Sequence, residues 1–272
     1  MTVRSPDNLP AQITDCIRLA DSSWHPAILN GLQAMHATDA TYFSRLCSTE
    51  FLPTEGRLFA AFQQPLNEVR YVLIGEGPYP RADSATGVCF MDGAVDSLWA
   101  EDGSGLSKKV NRATSLRNFM KMLLVASGDL NQEHTSGDVM KTVATSALND
   151  ETRFIRKLAD LQQNMHKHGF LLLNATLVFR DNVAPVKDGK SWQPFLQAIF
   201  SSLLEQKSSV SLPSLVLWGK IAEQLKRIPE TTHFPQILAE HPYNLSFIKN
   251  KEMQDFFRPM QLLHNCSKEN FC

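Results

Sequence analysis

Three short runs of nearly unbroken apolar residues set the strongest limit on how this chain folds. They are VRYVLI at 69–74, GFLLLN at 169–174 and PSLVLWG at 213–219, with FPQILAEHP at 234–242 as a weaker fourth. A strand with one face in water alternates apolar and polar residues, whereas a strand apolar at nearly every position is covered on both faces. Amphipathic helical patterns lie between the runs. Leu116, Phe119, Met120, Leu123 and Leu124 keep i, i+3, i+4, i+7, i+8 spacing, with Thr114 or Ser115 available as N-cap. Trp192, Phe195, Leu196, Ile199, Phe200 and Leu203 repeat the pattern. Strands alternating with such helices predict an α/β fold: a three-layer α/β/α sandwich around a central, mainly parallel four-stranded sheet.

With 272 residues, 43% of them hydrophobic, the chain can bury one large core. A single domain over 1–272 is expected. Residues 1–65 read as a mostly helical lead-in, with Trp24, Ile28, Leu29 and Leu32 at roughly helical spacing. Segments near 93–114 and 126–150 are polar and carry Gly and Ser, and read as insertions or mobile loops. The formal net charge of −1 excludes a broadly basic nucleic-acid binder but leaves room for a small basic patch. The five cysteines show no CxxC spacing, so neither a metal or iron–sulfur site nor a disulfide framework is expected. No cofactor is expected either. The polar N-terminus lacks a signal-peptide core, and there is no apolar run of about 18 residues. The expectation is a soluble, cytoplasmic monomer.

In open α/β sheets the ligand crevice lies at the carboxyl ends of the strands. Here those ends carry Gly75-Glu76-Gly77-Pro78-Tyr79, Asn174, Trp218-Gly219 and His241-Pro242. A carboxylate, a phenol, an amide and an imidazole at neighbouring strand ends can form one polar pocket. Asn offers both a donor and an acceptor to a planar edge, and His can stabilise an anion formed during bond cleavage. Pattern alone supports an α/β enzyme for a small ligand.

The same residues resemble the uracil-DNA glycosylase superfamily, especially its first family. GEGPYPRADSATGVCF (Gly75 to Phe90) is similar, with the same spacing and no gap, to that family's Gly-Gln-Asp-Pro-Tyr-His motif, which leads after a short loop to Gly-Leu-Cys/Ala-Phe. LLLNATL at 171–177 resembles its LLLN motif, and HPYNLS at 241–246 its HPSPLS. LPTEGRLFAAF, SLRNFMKML, SWQPFLQAIF and LVLWGKIA follow in the family's order, so the resemblance runs from about Trp24 to His264.

It implies a DNA repair enzyme that flips uracil, or a related deaminated base, out of DNA and hydrolyses its N-glycosidic bond. Phe90 would stack on the base, a contact worth roughly 1–3 kcal/mol. Asn174 would pair with the uracil edge. Tyr79 would occupy the place of a thymine methyl. Backbone N–H groups over Gly75–Gly77 would face the base oxygen, and His241 would donate to it as the anion leaves. Leu245 would wedge into the duplex. Ser115, Ser246 and the Lys108/Lys109/Arg112 cluster would contact phosphates.

The chain also departs from the family. Its first motif carries an Asp that positions water and balances the cationic sugar, and here that position is Gly77. The Gln before it is Glu76, as in the iron–sulfur branch, whose cysteine spacing this chain lacks. Pro80 replaces the motif His, Lys187 stands where a downstream His is usual, and Tyr243 replaces a small Ser. Three outcomes stay open on these residues. Glu76 supplies the missing charge and the chain is a monofunctional glycosylase; or the site binds a base and cleaves it poorly or not at all; or the excised base is a purine such as hypoxanthine or xanthine, against which Tyr79 narrows the pocket.

Overall fold

The apolar runs become strands where their composition places them. The computed structural model describes residues 9–206 and 211–265. Strand β1 spans Tyr71–Gly75, β2 Phe170–Asn174, β3 Ser214–Trp218 and β4 Gln236–Ala239. The sheet order is β2-β1-β3-β4. β1 runs parallel to β2, with Gly75 opposite Asn174, and parallel to β3, with Leu73 opposite Val216. Val72, Leu73 and Ile74 on β1 and Leu171, Leu172 and Leu173 on β2 are all buried, so both faces of the central strands are covered. β4 alternates exposed and half-buried residues, as an edge strand does, which is why its run is the weakest of the four.

Helices α1 (Ala11–Thr14), α2 (His25–Thr38) and α3 (Tyr42–Cys47) precede β1. Between β1 and β2 come α4 (Lys108–Arg112), α5 (Thr114–Ala126), α6 (Asp138–Asn149) and α7 (Leu158–Lys167). Helix α8 (Pro185–Glu205) joins β2 to β3, α9 (Ile221–Leu225) joins β3 to β4, and α10 (Lys251–Phe257) follows. The described residues group into two compact units. One holds the chain up to Gly93 with Gly169–Leu238; the other holds Ala94–His168 and the chain from Ala239.

In the first unit α2 packs on α8, and the rings of Phe59, Phe62, Trp192 and Phe195 interlock beside the sheet. Helix α8 begins at Pro185, well before its periodic residues, because proline's fixed φ suits a first helical position. Its first turns are tied down by buried Asp188. Arg180 Nη2 approaches Asp188 Oδ1 at 2.6 Å, and the Tyr42 hydroxyl donates to the same oxygen at 2.8 Å. Trp192 Nε1 in turn donates to Tyr42 Oη at 2.9 Å. This network fixes the loop that leaves β2 after Asn174.

The second unit corrects the expectation of a loop over 126–150. Helix α6 occupies Asp138–Asn149 and buries Met140, Val143, Ala144 and Ala147 at i, i+3, i+4, i+7 spacing. Its Thr- and Ser-rich exposed face hides that stripe in a composition reading. The 93–114 segment is also built: Leu98, Trp99, Leu106 and Val110 are buried, and Trp99 Nε1 donates to the Ile155 carbonyl at 2.8 Å. No helix among the described residues is long and apolar enough to cross a membrane. Cys266 and Cys272 lie outside the described residues.

Candidate active site

Parallel pairing brings the ends of β1 and β2 together and carries on one step past the strands. The Gly75 carbonyl accepts from the Ala175 N–H at 2.8 Å, and the Glu76 carbonyl from the Thr176 N–H at 3.1 Å. The two exit loops therefore leave the sheet side by side. A Cβ on Gly75 would stand 2.6 Å from Cys89 Sγ and 3.1 Å from Asn174 Oδ1. Only glycine lets the β1 backbone approach the Asn174 amide this closely. Asn174 is 4% exposed.

The loop carrying Cys89 and Phe90 is pinned to β2 by a bond from the Cys89 N–H to the Leu172 carbonyl, 3.0 Å. Burial pushes the Cys89 thiol up to about 12, so it stays neutral beside Gly75. Phe90 has a backbone φ of +68°, a left-handed conformation that a bulky residue rarely adopts. Its neighbours Cys89 and Met91 are buried, while Phe90 itself is half-buried. The strain, of order 1–3 kcal/mol, turns one ring out of the core between two buried neighbours. That ring meets Trp218 edge to face, centroids 5.5 Å apart.

Tyr79 is half-buried. Burial, then the nearby Asp92 carboxylate and Cys89, push its phenol above the ordinary range, with Arg81 opposing. It is therefore a neutral ring. Gly75, Cys89, Phe90 and Asn174 thus gather at the strand ends, with Tyr79 beside Cys89. Glu76 and Gly77 are exposed on the exit loop. Glu76 also lines a cavity of about 310 Å³ together with Thr176, Lys190, Gln193 and Arg227.

In the second unit the HPYNLS segment forms a braced turn. The Asn244 N–H donates to the His241 carbonyl at 3.0 Å, and the Tyr243 N–H donates to His241 Nδ1 at 3.1 Å. With Nδ1 accepting, the ring proton belongs on Nε2, which makes Nε2 a donor from a neutral imidazole. Buried Asn118 donates its amide to the Pro242 carbonyl at 2.8 Å, with the Tyr243 and Asn244 carbonyls at 3.3 and 3.4 Å. Ser246 Oγ donates to the Glu240 carboxylate. Leu245 is 69% exposed. Ser115 sits half-buried in the first turn of α5, and Lys108, Lys109 and Arg112 are exposed on α4. Sequence reading missed Cys89 as the neighbour of Gly75, and Asn118 and Glu240 as braces of the HPYNLS turn. Cys89 and Asn118 left a signal, as the thiol inside GVCF and the amide inside SLRNFMKML.

Among the described residues no group of three or more His, Cys, Asp or Glu is placed to hold a metal ion.

No family model matches the chain. The uracil-DNA glycosylase of Flavobacterium johnsoniae is 25% identical to it over 228 residues, 83% of this chain and 84% of that protein. That of Xylella fastidiosa strain 9a5c is 26% identical over 230 residues, 83% of this chain and 74% of that protein. The crystal structure of the wild-type UNG from Nitratifractor salsuginis matches with 34% identity and a TM-score of 0.83, over 94% of this chain and 98% of that one. The chain belongs to the uracil-DNA glycosylase superfamily. Its four-stranded sheet is the middle layer of the α/β/α sandwich expected from the sequence. For a uracil-DNA glycosylase superfamily member, the strand-end position of Asn174 and Phe90 is where an α/β sheet presents its ligand.

Proposed function

We propose that the chain is a monofunctional DNA glycosylase that hydrolyses the N-glycosidic bond of uracil in DNA. The observation that carries this reading is the Asn174 amide set against the Gly75 backbone, with the strained Phe90 ring held on the adjoining loop. Asn Oδ1 and Nδ2 complement the N3–H and O4 of uracil, whereas cytosine offers the opposite pattern. Phe90 supplies a stacking face and the neutral Tyr79 ring closes the side where a methyl would sit. Relatives named uracil-DNA glycosylase support turnover over a site that merely binds a base.

In this reading the bond to the base breaks and the base leaves as an anion, a water oxygen bonds to the anomeric carbon, and the proton the water loses ends on the departed base. His241, with its proton on Nε2, donates a hydrogen bond to the base oxygen and stabilises that anion. Backbone N–H groups from Gly75 to Gly77 assist it. Glu76 supplies the negative charge that balances the sugar cation, from one residue before the position of the first family's Asp. Leu245 fills the space left by the flipped nucleotide, and Ser115 and Ser246 contact phosphates. One chain carries every group this reading assigns, which supports a monomer. Cysteines without disulfide spacing support a reducing, cytoplasmic setting.

The test is a single-turnover assay on oligonucleotides carrying uracil, thymine, hypoxanthine or xanthine, in single strands and duplexes. Uracil is expected to be removed and the other bases spared. Faster removal of hypoxanthine would overturn the base assignment. Excision that survives Asn174→Ala or Glu76→Gln unchanged would overturn the assigned roles.

A further inference from the structure

The HPYNLS turn leaves two large side chains in water. Tyr243 is 68% exposed and Leu245 69%, more than any other large apolar side chain among the described residues. The turn cannot fold them away, because its backbone is already committed. The Tyr243 N–H is spent on His241 Nδ1, and the Tyr243 carbonyl faces the Asn118 amide. The following 3-10 turn, Leu245–Lys249, is anchored by buried Phe247 and Ile248. Ser246 is tied back to Glu240. A fixed backbone presenting an uncovered phenol ring is a platform, ordered before any partner arrives, so little conformational freedom is lost when one docks.

We propose that the Tyr243 ring is a stacking subsite for a nucleobase flanking the flipped nucleotide. The inference rests on the function proposed above, because His241 and Leu245, two residues to either side, are the groups that reading places against the nucleotide and the duplex. Asn244, between Tyr243 and Leu245, is extended (φ −77°, ψ 136°), so those two residues lie about 6–7 Å apart. That is about two base steps of 3.4 Å, so Leu245 can fill the vacated step while Tyr243 meets a neighbouring base. The occupant is a base of any identity, since every base has a π-face and stacking is sequence-tolerant. Stacking needs no complementary strand, so the subsite holds single-stranded substrate that a wedge alone grips poorly.

The test is a cycle on single-stranded oligonucleotides with one uracil. The base on either side of it is kept, or replaced by an abasic spacer. Wild type, Tyr243→Phe and Tyr243→Ser are compared for affinity and for excision at limiting substrate. Thermal melting verifies that both variants fold, as expected for so exposed a side chain. On the stacking scale, Tyr243→Ser should weaken binding about ten-fold and Tyr243→Phe should not. The spacer should cost the wild type the same factor on one side of the uracil and cost Tyr243→Ser nothing more. Equal spacer losses in wild type and Tyr243→Ser would overturn the proposal, as would Tyr243→Ser binding like wild type, which would leave the ring to a protein partner. Wild type that binds uracil DNA without releasing the base would instead count against the glycosylase reading.

Discussion

Replacing Gly77 by Asp places a carboxylate where the first family that the chain resembles carries one in its first motif. The structure says the change fits. A Cβ at Gly77 would meet the Thr176 carbonyl oxygen at 3.5 Å and Thr176 Cβ at 3.7 Å, both ordinary contacts, and the Gly77 φ lies outside the left-handed region. Loss of glycine's freedom in the unfolded chain should leave stability unchanged or higher by about 0.4–1 kcal/mol. The effect on rate follows from dielectric. A carboxylate about 4 Å from the sugar cation is worth about 1 kcal/mol in bulk water and about 4 kcal/mol at the effective dielectric of a partly closed site. Glu76, whose side chain lines the cavity with Lys190 and Arg227, works near the first limit; Asp at residue 77, set against the sugar in the proposed reading, works nearer the second. The difference of about 3 kcal/mol is about a hundred-fold in rate, within the range of about 10²–10⁴ for a positioned acid or base. Rapid-quench single-turnover excision measures it, with saturating enzyme so that DNA affinity does not enter. A folded Gly77→Asp variant that binds uracil DNA normally and cleaves within two- to three-fold of wild type would refute the reasoning, because the missing charge would then already be fully supplied.

Three further outcomes follow from the same geometry. Tyr79→Ala removes the wall against a methyl, and the preference for uracil over thymine should fall by about 10–200-fold, read from the ratio of single-turnover rates. Phe90→Gly relieves a left-handed φ worth about 1–3 kcal/mol while losing an aromatic contact of about 0.5–1.5 kcal/mol and about 1 kcal/mol of burial for a half-covered ring, so Tm should change little even as KM for uracil DNA rises. Asp188→Ala leaves Arg180 and the Tyr42 hydroxyl buried without their acceptor, and urea unfolding should show a loss of about 3–5 kcal/mol.

How much of this was legible in the sequence depended on whether the cause was local. VRYVLI, GFLLLN and PSLVLWG became the central strands because a strand buried on both faces must be apolar throughout. β4 was fainter because an edge strand keeps polar residues. The meeting of Gly75 with Asn174 follows once β1 and β2 are parallel neighbours, since both close their strands. Helix α6 was hidden because its four buried residues are outnumbered by six polar ones, Asp138, Lys141, Thr142, Thr145, Ser146 and Asn149. The left-handed φ of Phe90 could not be read, because the loop that carries it is held by a partner far away in the chain, the Leu172 carbonyl that accepts from the Cys89 N–H. The Asn118 brace on the 242–244 carbonyls is equally non-local. Resemblance located HPYNLS, but only coordinates revealed that Nδ1 of His241 is already occupied and that Tyr243 stands uncovered.

The most direct measurement is the quantity of free uracil released from an oligonucleotide carrying one isotopically labelled uracil, followed by mass spectrometry alongside the abasic strand. One uracil per abasic site, with release abolished by Asn174→Ala in a variant that melts like wild type, is the predicted result. Stoichiometric binding of that oligonucleotide with no uracil released, at enzyme excess and long times, would contradict it.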